Sequence, residues 1–242
     1  MSLSRREFLV AGVATAATAL APGLRLVELA QARAPEEAVT KLQRWGLLID
    51  VAQCADGCNA CVTDCHEENG VTSHNRLATD AQWIRKVTIK DRQTGYVQSL
   101  PLMCQHCEEP PCVDVCPTGA SFKRADGIVL VDKHTCIGCR YCMMACPYKA
   151  RSFIHEDTKD QKPHAPRGKG TVESCTLCVH KVDRGDGTTA CADACKKEGH
   201  GAILFGNLND ANSEIRKRLA SRPSTQLRPD LNLNTGVRYT GL

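Results

Sequence analysis

Aromatic side chains are scarce in this 242-residue sequence: four Phe, four Tyr and two Trp, 4% of the chain. A large conventional hydrophobic core is hard to build from so few. Long apolar runs are scarce too. Beyond the first thirty residues no stretch approaches the roughly 18 apolar residues of a membrane-spanning helix, so the chain after residue 32 is expected to have no span of its own. A P-loop, a Gly-rich dinucleotide turn and a Ser-His-Asp set are all missing. Charged residues at 24% and hydrophobic ones at 42% are ordinary for a folded chain, which excludes wholesale disorder. Something other than Phe and Trp must therefore fill the interior.

What is present in quantity is cysteine, sixteen in all. The residues form four quartets with none left over. The first is Cys54-x3-Cys58-x2-Cys61-x3-Cys65 and the second Cys104-x2-Cys107-x4-Cys112-x3-Cys116-Pro117. The third is Cys136-x2-Cys139-x2-Cys142-x3-Cys146-Pro147 and the fourth Cys175-x2-Cys178-x12-Cys191-x3-Cys195. The third quartet is the bacterial ferredoxin run, in which three cysteines hold one [4Fe–4S] cluster and the fourth ligates its neighbour. Three thiolates within seven residues can wrap three corners of a cube. The fourth starts a turn leading away, and Pro147 fixes that exit. Gly138 in particular is small and flexible enough to let the backbone approach a cluster.

Other uses of cysteine fit less well. A zinc ribbon needs two Cys-x2-Cys pairs and leaves the third close cysteine idle. Disulfides do not comfortably join thiols packed so tightly in sequence, although the fourth quartet alone is ambiguous. The first quartet matches the spacing of radical enzymes that use S-adenosylmethionine. Those leave one iron open, whereas here Cys65 follows at once.

Residues 1–32 read as an export signal. Ser4-Arg5-Arg6-Glu7-Phe8-Leu9 precedes an Ala-rich apolar run from Phe8 to Leu24, and Ala30-Gln31-Ala32 supplies a small-x-small site. Paired arginines before Phe-Leu look like the twin-arginine type, an address read by a receptor. A membrane anchor is the alternative, but Pro22 and Gly23 break the run. Cargo of the twin-arginine pathway is exported already folded, so metal-bound thiolates can reach the periplasm, where disulfides are otherwise the rule.

Short strands separate the quartets: residues 45–51, 83–89, 121–124, 128–131, 151–154 and 202–205. Ala125-Asp126-Gly127 is a hairpin signal. Cys116-Pro-Thr-Gly-Ala-Ser-Phe122 echoes Cys146-Pro-Tyr-Lys-Ala-Arg-Ser-Phe153, a cluster-turn-strand unit that repeats. The expected fold is α+β, made of duplicated bacterial-ferredoxin-like modules with short β-hairpins around four Fe–S clusters. His155 to Gly170 reads as a surface insertion and Arg184 to Thr189 as a flexible loop. Asn209 or Asp210 is expected to cap a helix through Leu219. Arg222 to Leu242 is expected to run extended over a surface, its own or a partner's.

Several of these stretches resemble one family closely. Cys104-Gln-His-Cys107-Glu-Glu-Pro-Pro-Cys112, Cys116-Pro-Thr-Gly-Ala and Asp126-Gly127-Ile128-Val129 carry the likeness. So do Asp132 to Phe153, Glu173 to Cys178, and Arg228-Pro229-Asp230-Leu231. The chain from about residue 44 to 240 is similar to the four-cluster iron–sulfur subunits of membrane-bound respiratory oxidoreductases, such as dimethyl sulfoxide, polysulfide and tetrathionate reductases. Within that family, the signal and the Cys54-Ala-Asp-Gly-Cys58 opening look most like the periplasmic subunits of sulfite-reductase-associated complexes.

The resemblance implies a ligand set for each of four [4Fe–4S] clusters: Cys54, Cys58, Cys61 and Cys195; Cys175, Cys178, Cys191 and Cys65; Cys104, Cys107, Cys112 and Cys146; Cys136, Cys139, Cys142 and Cys116. It also implies an outer module of residues 33–103 with 155–205, an inner module of 104–154, and a C-terminal helix and tail, 206–242. The first quartet departs from the pattern by one extra residue. Cys65 and Cys195 depart by lacking a following proline (His66 and Lys196 stand there).

A cluster with four thiolates has no open iron, so the expected role is electron transfer rather than catalysis. The partners implied by resemblance are an NrfD-type multi-span membrane subunit that handles quinone and a multihaem cytochrome c. His66, His106 and His180 beside the cysteines read as hydrogen-bonding or surface groups rather than ligands. Glu108-Glu109 reads as a solvated turn. The formal charge of +4 is no signal of nucleic acid. Removing residues 1–32 takes away one positive unit, and each oxidised cluster with its thiolates adds about −2.

Overall fold

The first strand, β1 (Trp45–Asp50), is apolar at three successive central positions, and Leu47, Leu48 and Ile49 are all buried. Such a run suits a strand covered on both faces and both edges. β8 (Ile203–Asn207) pairs antiparallel on one side with Ile49 opposite Ile203, and β9 (Val237–Thr240) pairs parallel on the other with Leu47 opposite Val237. Gly46 permits this arrangement, because a Cβ there would drive into the Gly236 carbonyl and the Leu208 side chain. Trp45 stacks on Phe205 with ring centroids 5.2 Å apart.

The computed structural model describes residues 38–242 apart from Leu77 and Asp160, and these belong to one unit. The export signal expected over residues 1–32 lies outside the described residues.

Three hairpins accompany the sheet. β2 (Ile84–Lys90) pairs with β3 (Val97–Met103), β4 (Ser121–Lys123) with β5 (Val129–Val131), and β6 (Ser152–Phe153) with β7 (Val172–Glu173), all antiparallel. The second turns through Ala125-Asp126-Gly127, with Gly127 at φ +86°. Among the described residues six short helices complete the set: α1 (Ala60–Glu68), α2 (Pro111–Asp114), α3 (Tyr141–Ala145), α4 (Val179–Arg184), α5 (Ala190–Lys197) and α6 (Glu214–Ser221). α1 packs on α5 and α2 on α3. The mixture of short strands and helices is the α+β architecture the sequence suggests.

Cysteines stand in the interior where aromatics are missing. The main core joins Leu47, Ile49, Trp83, Ile84, Leu100, Met103, Ile128 and Tyr239 to Cys61, Cys65, Cys104, Cys107, Cys146, Cys175, Cys191 and Cys195. A smaller core joins Cys112 and Cys142 to Val129 and Val172. Among the described residues no helix is long and apolar enough to cross a membrane.

Four expectations are corrected. The C-terminal stretch does not merely run over a surface: Val237 and Tyr239 are fully buried in β9, against β1. Its short apolar alternation, broken by Arg238, is too brief to stand out in sequence. α6 starts from Ser213, whose Oγ accepts the Arg216 N–H at 3.3 Å, while Asp210 closes a turn onto Asn212 N at 2.8 Å. α6 also continues past Leu219 to Ser221. The segment 155–170 is the loop of the β6–β7 hairpin and is not wholly surface, since Ala165 and Arg167 are buried.

Candidate metal centres

Helical spacing explains part of the cysteine placement. Cys61 and Cys65 lie one turn apart on α1, and Cys191 and Cys195 one turn apart on α5, so each helix presents two thiols along one face. Many of the other cysteines come from loops with a common device. The residue just before the second cysteine of every quartet is left-handed: Gly57 (φ +76°), His106 (+44°), Gly138 (+71°) and Leu177 (+55°). A left-handed residue curls the backbone so that successive N–H groups face one concavity, the geometry of an anion nest. His106 and Leu177 adopt it at a cost of about 1–2 kcal/mol each. The extra residue of the first quartet is absorbed before Gly57, and the turn keeps its place relative to Cys58. Sequence reading misses this device, although Gly57 and Gly138 hint at it. Gly138 serves a backbone approach, but to protein: a Cβ there would strike the Gly170 carbonyl and the Phe153 ring.

The loops and helices bring the cysteines together in fours. A hollow is lined by Cys54, Cys58, Cys61 and Cys195. Another is lined by Cys104, Cys107, Cys112 and Cys146, and a third by Cys116, Cys136, Cys139 and Cys142. Equal donor sets point to the same kind of guest. The remaining four also meet. Burial pushes the Cys65 thiol well up, and Cys175, Cys191 and Cys178 around it push further. All four gatherings take three cysteines from one quartet and one from another. None of the sixteen cysteines is in a disulfide.

Several sulfurs accept hydrogen bonds suited to a thiolate. Backbone N–H groups donate to Cys116 from Ser121 (3.3 Å), Cys136 from Val172 (3.4 Å), Cys175 from Leu177 (3.4 Å), Cys178 from Ala190 (3.4 Å) and Cys195 from Ala202 (3.2 Å). Against this, burial pushes the free thiols of Cys61, Cys107 and Cys178 up to about 12 and Cys191 to about 11. A bound metal supplies the positive charge that reverses this preference for the neutral form.

Arg151 tests what the hollows would hold. It is 5% exposed, and its Nε, Nη1 and Nη2 are buried with no carboxylate or carbonyl oxygen to donate to; the groups they reach toward are the sulfurs of Cys142 and Cys112. It lines the Cys104 hollow, and the charges around it are Cys112, Cys104 and Cys142. An isolated buried cation is costly, and a metal group ligated by four thiolates brings the negative charge it lacks. The donor chemistry and this uncompensated cation fit an iron–sulfur group.

The histidines and acids beside the cysteines have ordinary roles or none visible. His106 Nδ1 accepts the Val129 N–H at 3.0 Å, and burial pushes its pKa down to about 3. His180 Nε2 lies 2.7 Å from Glu68 Oε1, and its ring stacks on His164. Buried His66 Nε2 has no partner. Glu108 is not a free solvated group, since Arg44 and Lys123 both pair with it. His200, which gives no signal in the sequence, lines the Cys54 hollow after the Gly199 turn. Cys139 alone among the sixteen is exposed, amid exposed Ile137, Tyr141 and Met144.

Comparison with known proteins agrees with this chemistry. The family of 4Fe-4S dicluster domains matches residues 95–207. The chain is 40% identical to the Hdr-like menaquinol oxidoreductase iron-sulfur subunit 1 of Archaeoglobus fulgidus, over 99% of this chain and 98% of that protein. It is 36% identical to a tetrathionate reductase subunit of Salmonella typhimurium, over 100% of this chain and 90% of that protein. Protein NrfC of Escherichia coli is 38% identical over 75% of this chain and 73% of its own length.

Proposed function

Because the chain belongs to the 4Fe-4S ferredoxin-type iron–sulfur subunits of membrane-associated oxidoreductase complexes, we propose that it is a four-cluster electron relay on the periplasmic side. The observation that carries the reading is the gathering of all sixteen cysteines into four sets of four. The ligand sets are Cys54, Cys58, Cys61 and Cys195; Cys65, Cys175, Cys178 and Cys191; Cys104, Cys107, Cys112 and Cys146; Cys116, Cys136, Cys139 and Cys142. A [4Fe–4S] group in each supplies reversible one-electron chemistry. The chain's own part is to hold four thiolates per site, direct N–H groups at their sulfurs and keep water from most of them.

In this reading the outer module is 33–103 with 155–205 and the inner module 104–154. The packing of α1 on α5, of α2 on α3, and the pairing of β1 with β8 support that division. Residues 206–242 return to the outer module through β9. Cys139 and the apolar residues around it offer a point of close approach for a second redox protein.

The partners we propose are an NrfD-type quinone-handling membrane subunit and a multihaem cytochrome c, with delivery by the twin-arginine pathway. Those partners and that address are those of DsrO in the sulfite-reductase-associated DsrMKJOP complex, and we assign the chain to that role beside the other Dsr subunits. The menaquinol oxidoreductase relative supports a quinol side. The tetrathionate reductase relative favours a second reading, an iron–sulfur subunit beside a molybdopterin catalyst.

Anaerobically purified protein tests both. The expected content is about sixteen irons with as much sulfide, and stepwise reduction by several electrons. Zinc in place of iron, or turnover of a sulfur compound by the isolated chain, overturns the relay. Co-purification with haem rather than molybdopterin separates the two readings.

A further inference from the structure

Arg151 differs from the paired buried charges among the described residues. Arg167 is paired with Glu173 and Asp126 with Arg124, whereas the three guanidinium nitrogens of Arg151 have no carboxylate or carbonyl partner and face cysteine sulfurs instead. The residue leaves the third quartet at Ala150 and precedes β6. Its side chain lines the hollow of Cys104, Cys107, Cys112 and Cys146, and also faces Cys142 of the neighbouring set. Arg140, which lines the Cys116 hollow, is exposed and lies over the Phe153 ring at 4.3 Å, and two lysines near cysteines have oxygen partners. Lys181 is 2.7 Å from Asp193, and Lys86 donates to the Ala55 carbonyl at 2.6 Å.

A guanidinium does not release its proton in a protein, so its charge stays fixed whatever the redox state. Reduction places one more negative charge on a centre that is already anionic. A fixed cation nearby favours the reduced form over the oxidised one. Burial away from water leaves that field little diminished. From this placement between two cysteine sets we infer that Arg151 is a positioning residue shared by the two inner centres, and that its charge raises the reduction potentials of both. The electron comes from whichever donor reduces the relay, and no proton moves with it at Arg151. The inference rests on the proposed loading of the chain with four clusters.

The test is a redox titration of the loaded protein with dithionite, followed by electron paramagnetic resonance, on wild type, Arg151→Gln and Arg151→Lys. In Arg151→Gln two of the four potentials are expected to shift to more negative values while two stay in place. Arg151→Lys keeps the charge and is expected to restore both. No shift in Arg151→Gln at full iron content overturns the inference, as does an equal shift of all four centres. A shift in Arg151→Lys as large as in Arg151→Gln overturns it too, because charge is then not the cause. If Arg151→Gln fails to load the inner centres, Arg151→Lys decides. Loading at wild-type potentials supports the requirement for charge, and loss of the inner centres there as well overturns it. Wild-type iron near sixteen atoms separates failure of this inference from failure of the four-cluster reading.

Discussion

Arg167 and Glu173 form a bidentate ion pair inside the protein, Nη2 to Oε1 at 2.7 Å and Nε to Oε2 at 2.9 Å. Glu173 is fully enclosed, and the remaining Arg167 nitrogen, Nη1, donates to the Gly70 carbonyl at 2.6 Å. The pair ties the loop of the β6–β7 hairpin to the end of α1, two residues before Cys175. Removing one partner leaves an unpaired buried charge, which costs about 3–5 kcal/mol. Arg167→Ala is therefore expected to lower the thermal midpoint of the loaded protein markedly. Joint replacement of both residues by apolar ones of similar size is expected to cost less than either single change. Equal losses in the single and joint variants contradict the argument.

Tyr239 connects the C-terminal strand to the β2–β3 hairpin. Its hydroxyl donates to the Pro101 carbonyl at 3.1 Å and accepts from Gln105 Nε2 at 3.2 Å. Tyr239→Phe takes one acceptor from buried Gln105 Nε2, which keeps its 2.9 Å bond to the Met103 carbonyl, and the hydroxyl donor from the Pro101 carbonyl, with a stability loss of about 1–3 kcal/mol and the iron content unchanged. Deleting residues 237–242 is a harsher change, since it strips β1 of one neighbour. The expected outcome is insoluble or unloaded protein, checked by expression and iron assay.

The contrast between these two sites shows what the sequence makes legible. Cysteine spacing is a local property, so the four quartets and the turn at Ala125-Asp126-Gly127 are visible without a structure. β1 and the β4–β5 hairpin are visible for the same reason. Tyr239 is different, because its burial depends on a parallel pairing with a strand some 190 residues away. Arg167 sits among Lys, Pro and Gly in a segment that reads as solvent-facing, and only its partner Glu173 draws it inside. The left-handed turn before each second cysteine is half visible. Gly57 and Gly138 announce it, whereas His106 and Leu177 adopt it under tertiary constraint.

Exposure singles out one metal centre for damage. Cys139 is open to solvent, whereas every other cysteine is buried or half-buried. Oxidation and chelation of thiolate-bound metal follow access. In air, or with a membrane-impermeant chelator, the centre at Cys116, Cys136, Cys139 and Cys142 is expected to be lost first. About one quarter of the iron should leave in an early phase, with one spectroscopic signal disappearing before the rest. Uniform loss from all four centres contradicts this order.

Loading should also release protons, and the structure fixes the sign. Thiolates bind iron, whereas burial holds most of the free thiols protonated. Cys61, Cys107 and Cys178 are pushed up to about 12, Cys191 to about 11, and Cys65 and Cys175 well upward. Cys116 differs: burial raises it, but the Ser121 N–H and the Thr118 hydroxyl bring it below the usual thiol value. Metal-free protein thus binds protons that loaded protein does not, so loading is favoured as pH rises. Reconstitution near pH 7 is expected to release about one proton per ligand cysteine once the protons shed by the inorganic sulfide are subtracted, measured in weak buffer against an indicator, and it is this thiol part of the release that is followed with pH. The upper end of the dependence reports on the metal-free fold. Thiols of an unfolded chain lose their protons near pH 8.5, so release would fade there. If the metal-free chain keeps the packing of α1 against α5, release continues to about pH 11, the range set by Cys61 and Cys191. Release that stops near pH 8.5 shows that the metal centres, rather than the side-chain core, hold those two helices together.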